Sequence, residues 1–140
     1  RLILLADDFA RPNGIGLSPD EARLYVADTT RGELRVFDIA EGPALENGEQ
    51  LAELPFPDGL AVDEAGRIWA TAGDGVRVIA PDGELLHTVK LPKAPANCTF
   101  GGEDGKTLYA TAREAVYRVR VVVPGLVVAH QTEPEENEQP

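Results

Sequence analysis

A chain of 140 residues with 43% hydrophobic but only 6% aromatic content can build one modest core and is too apolar to stay disordered. Its formal charge of −11 would repel nucleic acid and anionic lipid, so neither is expected as a partner. Cys98 is the single cysteine, which excludes an internal disulfide and suits a reducing, cytoplasmic setting; the longest apolar run, "VVVPGLVVA" at 121–129, is too short and too broken to span a bilayer.

The chain opens on a strand-like run, "RLILLA" (1–6), followed by Asp7 and Asp8, read as solvated loop charges. A first unit then gives the strands "GIGLS" (14–18), "RLYVADT" (23–29) and "ELRVFDI" (33–39), a loose loop "AEGPALENGE" (40–49), and "QLAELP" (50–55). A second unit gives "GLAVD" (59–63), "RIWATA" (67–72), "GVRVIA" (75–80) and, after the tight turn "PDGE", "LLHTVKL" (85–91). A third gives "CTFGG" (98–102), "TLYATA" (107–112) and "AVYRVRVVV" (115–123). Apolar residues alternate with period two, and β-branched or aromatic residues lie between turn signals, so strands prevail and no segment has a helical period. The last ten residues, "QTEPEENEQP", hold four acidic side chains and nothing apolar to anchor them, the composition of a solvated tail.

Laid over one another, "PNGIGLSPDEARLYVAD" (12–28), "PDGLAVDEAGRIWAT" (57–71) and "ANCTFGGEDGKTLYAT" (96–111) repeat one plan. A polar residue precedes a short apolar strand, an acidic or glycine-containing turn follows, and the next strand carries an aromatic. The spacing of about 40 to 45 residues is that of a propeller blade. Counting "RLILLA", about twelve strands make three four-stranded antiparallel sheets. The expected architecture is therefore all-β, with half of a six-bladed propeller over 1–130, blade repeats near 12–56, 57–95 and 96–126, and an acidic, disordered tail over 131–140. Three blades do not close a ring, since propellers use four to eight. Either a second copy, as a homodimer, or an N-terminal half outside this sequence would complete six, and "RLILLA" could add the outermost strand that the third unit lacks, in its own chain or a partner's.

The first strand of each blade lines a propeller's channel, so Asn13, Asp58 and Asn97 are expected to converge at one mouth of it. Oxygen donors gathered from separate blades suit a hard cation such as calcium. The plainer reading of Pro-Asn-Gly and Pro-Asp-Gly is a pair of turns: proline sets φ, Asn or Asp caps its own backbone, and glycine takes φ > 0. Asp28 could reach the channel or bond a turn. A soft Cys98 thiolate does not suit a site of hard oxygen donors, and neither His87, on an outer strand, nor His130, in the tail, is placed as a general base. No Ser, His and Asp set suggests a nucleophile triad.

The order "PNGI", "LSPD", "LYVAD", "PDGLAVD", "IWA", "PDGELL", "TFGG", "DGKTLY" and a final "VYRV" with "VPGL" resembles the C-terminal half of the senescence marker protein (regucalcin), gluconolactonase and luciferin-regenerating-enzyme-like family, over roughly residues 1 to 126. The resemblance implies a six-bladed propeller that binds one divalent metal, commonly calcium, with Zn2+, Mn2+ or Mg2+ as substitutes, and a hydrolase that opens a small sugar lactone with metal-activated water. It implies Asn13 and Asp58 as metal ligands, Asp58 also acting on the proton of the attacking water, and Asn97 as a pocket residue. The family's first-blade glutamate ligand and its substrate-contacting Arg and Asn have no counterpart in this sequence. Two other readings therefore stay open: a catalytically incomplete propeller serving as a binding or assembly module, and an ester or organophosphate hydrolase on the same metal site.

Overall fold

The computed structural model describes residues 1–42 and 44–126. The described residues form eleven strands and no helix, so none of them forms a helix long and apolar enough to cross a membrane. Strands β1 (Pro12–Leu17), β2 (Arg23–Asp28), β3 (Glu33–Ala40) and β4 (Ala44–Glu53) make the first antiparallel sheet, paired in chain order. β5 (Pro57–Val62), β6 (Ile68–Ala72), β7 (Gly75–Ile79) and β8 (Leu85–Lys90) make the second, and β9 (Asn97–Gly101), β10 (Thr107–Ala112) and β11 (Ala115–Arg120) the third. Each sheet is an up-and-down meander, and the innermost strands β1, β5 and β9 pack side by side. This is the fold of part of a β-propeller, with each sheet a blade.

Alternation along the strands builds two cores. Between the first and second sheets lie Tyr25, Leu34 and Val36 from one side and Leu60, Ile68 and Ile79 from the other, all buried. Trp69, Val76, Val78, Cys98 and Leu108 fill the space between the second and third sheets. There the Trp69 indole meets Phe100 edge to face, with ring centroids 5.4 Å apart. Its Nε1 donates to Asp63 Oδ2 at 2.9 Å, and the Arg67 Nε donates to the same oxygen at 2.7 Å, so the fully buried Asp63 carboxylate ties the β5–β6 turn to the core.

Two expectations are corrected. "RLILLA" is not a strand, and the third sheet has three strands among the described residues. The cause lies just downstream: Asp28 accepts hydrogen bonds from the Ala10 and Arg11 amides (2.7 and 3.1 Å), Asp8 pairs with Arg35 at 3.0 Å, and Phe9 packs on Phe37. The leading segment is thereby fastened to the outward face of the first sheet, at the end of the stack away from β11, and Asp8 is not simply a solvated charge. Second, most of the stretch read as a loop at 40–49 is strand β4. Its Asn47 (φ 51°) and Gly48 mark the register shift between Val36 and Asp38 of β3, where Gly48 lies under the Phe37 ring. Glycine and Asn here signal a bulged edge strand. The expected tail at 131–140 lies outside the described residues.

Candidate functional site

Asn13 and Asp58 occupy the same slot in successive blades. Pro12 pairs with Asp28 and Ile15 with Val26, so Asn13 and Gly14 together face one residue of β2; Pro57 pairs with Ala72 and Leu60 with Ala70, so Asp58 and Gly59 face one residue of β6. Both are β-bulges inside strands, and a bulge re-aims the side chain it carries. The Pro-x-Gly triplets are thus not chain-reversing turns. Nor do their glycines take positive φ; they allow close approach instead. A methyl group on Gly14 would sit 2.3 Å from the Asp58 carbonyl oxygen, and one on Gly59 would sit 2.1 Å from Asn97 Oδ1. The inner strands can meet at the axis only without those carbons.

A threonine links the two bulges. Thr29 Oγ1 donates to the Pro57 carbonyl at 2.7 Å and accepts from Asn13 Nδ2 at 3.2 Å. With its amide nitrogen engaged, Asn13 keeps its carbonyl oxygen as the free donor of electron density. The half-buried Asp58 carboxylate enters none of the ion pairs among the described residues. Both side chains line one cleft of about 490 Å3, together with Arg11, Phe56, Thr111 and Arg113. A carboxylate and an amide oxygen, neither engaged in an ion pair among the described residues, are the donor chemistry of a hard divalent ion and not of a soft one. Such an ion takes six or more oxygens. No group of three His, Cys, Asp or Glu is found among the described residues, so the remaining oxygens would come from water or from elsewhere.

Asn97 stands apart. Its strand pairs regularly, Asn97 opposite Thr111 and Cys98 opposite Ala110, with no bulge to redirect the side chain. Its Oδ1 accepts from the Cys98 amide at 2.9 Å and abuts Gly59. It lines a neighbouring hollow with Tyr109 and Val116, which shares Thr111 with the Asn13–Asp58 cleft. Asp28 bonds the chain locally: besides Ala10 and Arg11 it accepts from the Thr30 and Arg31 amides at 3.1 and 3.0 Å. Burial would raise its pKa, but these backbone donors and the Arg31 charge outweigh it and hold the carboxyl below its ordinary value. Burial alone pushes the Cys98 thiol up to about 12, and its Sγ donates to the Trp69 carbonyl at 3.4 Å, which leaves no reactive thiolate. His87 sits on the exposed outer strand β8, and His130 lies outside the described residues.

Reading the sequence did not single out Thr29, Phe56, Arg11 or Arg113. Arg11 and Arg113 lie about a hundred positions apart, and only the stacking of blades brings them to one rim.

The model of the SMP-30/Gluconolactonase/LRE-like region matches residues 1–114. The chain is 35% identical to the gluconolactonase of Zymomonas mobilis subsp. mobilis over 134 residues, which covers 86% of this chain and 37% of that protein. It is also 35% identical to the 6-deoxy-6-sulfogluconolactonase of Pseudomonas putida, over 89% of this chain and 51% of the relative. A solved gluconolactonase from Xanthomonas campestris superposes with a TM-score of 0.76 at 34% identity, over 86% of this chain and 39% of that one. The chain therefore spans between about a third and a half of the length of these relatives.

Proposed function

Because the chain belongs to the SMP-30/gluconolactonase/LRE-like family, we propose that it carries the metal-binding side of a lactonase and takes part in the hydrolysis of a small sugar lactone. The observation that carries this reading is the shared cleft of Asn13 and Asp58, whose oxygens come from equivalent bulges of two blades and enter no ion pair among the described residues. The relatives named for lactone hydrolysis support the substrate class.

In this reading Asn13 Oδ1 and the Asp58 carboxylate would hold a divalent ion, calcium in the first place. When bound, that ion supplies Lewis acidity to the ester carbonyl. Thr29 fixes the Asn13 amide so that its oxygen and not its nitrogen is presented. Asp58 accepts the proton of the attacking water as its oxygen joins the carbonyl carbon. The proton then passes to the ring oxygen as the carbon–oxygen bond of the lactone breaks, leaving an open hydroxy acid.

The test is lactone opening, followed by acid release with glucono-δ-lactone. Asp58→Asn and Asn13→Ala should each lower kcat/KM about a hundredfold at unchanged circular dichroism. Full activity in both variants would remove the mechanism. The shortage of donors among the described residues favours one second reading, a propeller module that binds calcium without turnover. A wild-type chain that leaves the lactone intact, yet melts at higher temperature with calcium, would select it.

A further inference from the structure

In an acidic protein, the cations of the candidate cleft are unusual. Eight of the 13 Lys and Arg residues are ion-paired among the described residues, for example Arg35 with Asp8 and Arg67 with Asp63. Arg11 and Arg113 are not among them, and both line the cleft that holds Asp58. They reach it from different blades, Arg11 from the residue before β1 and Arg113 from the β10–β11 hairpin.

Arg113 also occupies a costly position. Ala112 pairs with Ala115, so Arg113 is the first residue of a two-residue loop, with φ 56°. The same slot in the second sheet, between Ala72 and Gly75, is Gly73 with φ 60°. A left-handed backbone selects glycine, and an arginine there gains nothing from the turn. Phe56, 78% exposed with φ 51°, is a second strained side chain on the same rim. Backbone strain of this kind clusters at active sites and ligand clamps.

We propose that Arg11 and Arg113 form an anion subsite beside Asp58, which selects lactones bearing a fixed negative group, such as phosphate, sulfonate or carboxylate, away from the ester carbonyl. Two guanidinium groups offer planar, forked donors matched to the oxygens of such a group. The inference rests on the lactonase reading for the ring chemistry alone, and the anion subsite can be measured without turnover.

The experiment compares glucono-δ-lactone with its 6-phosphate, which differ only in the anionic group. The wild-type chain should favour the phosphorylated lactone at least tenfold in kcat/KM, and Arg11→Gln and Arg113→Gly should each reduce that preference about tenfold. Arg113→Gly should melt no lower than wild type, which separates a binding role from a structural one. A preference near unity, or one unchanged in both variants, overturns the subsite. If neither lactone is opened, the lactonase reading has failed. The subsite is then judged by calorimetry with gluconate and its 6-phosphate. Binding of the phosphate at least tenfold tighter, lost in Arg113→Gly, supports it, and equal affinity overturns it.

Discussion

Asp28 holds four backbone amides from two stretches of chain, and no other group could replace it in one move. Asparagine would keep one acceptor oxygen but aim an N–H at donors, so Asp28→Asn should cost about 2–3 kcal/mol of stability. Its folded-state pKa lies below the unfolded value, so the stabilisation is present above the unfolded pKa and disappears as pH falls through the folded one. Thermal melts between neutral pH and pH 2 should show the loss in wild type, and the curve of Asp28→Asn should be flatter. A parallel pair of curves would discount the carboxylate. The sequence left Asp28 open between channel and turn, because only the path of residues 8–11 decides it. Asn13 and Asp58 were legible because Pro-x-Gly recurs at one spacing. Arg11 and Arg113 were not, since Arg113 sits where local preference calls for glycine and so leaves no local signal.

The bulges in β1 and β5 depend on glycines that work by absence of bulk. At Gly14 the obstacle to a Cβ is entirely backbone, at 2.3 Å, so Gly14→Ala can be relieved only by moving β1 away from β5 and should destabilise by about 2–3 kcal/mol. At Gly59 the nearest obstacle is the Asn97 side chain, which can swing aside, although the Asn97 Cα at 2.8 Å still limits the relief. Urea melts should therefore rank Gly14→Ala as the more damaging of the two, and the reverse order would count against close packing of the inner strands. Arg113→Gly should act in the opposite direction, adding about 1 kcal/mol by giving the hairpin the residue its backbone prefers. The strands themselves were readable from period-two alternation. The first part of β4, at 44–49, was not, because Asn47 and Gly48 have the composition of a loop while forming an irregular edge strand under Phe37.

The two ends of the three-sheet stack differ. The outward face of the first sheet is covered by the leading segment, with Arg35 lying over the Phe9 and Phe37 rings at 4.7 and 4.8 Å. The corresponding face of the third sheet leaves Val116 71% and Tyr109 37% exposed. Three sheets do not close a propeller, and the relatives that this chain matches are about twice its length or more. An N-terminal half outside this sequence or a second copy of the chain would cover the third sheet; for the chain by itself we propose the second copy, giving a particle of about twice 15.0 kDa in sedimentation equilibrium. Val116→Glu places a charge on that face without entering either core, so it should shift the equilibrium to monomer while leaving the circular dichroism unchanged. With a formal charge of −11 on each copy, repulsion opposes the pairing, so added salt should strengthen it. A particle that stays at the monomer mass across salt and concentration would show that this face is not met by a second copy.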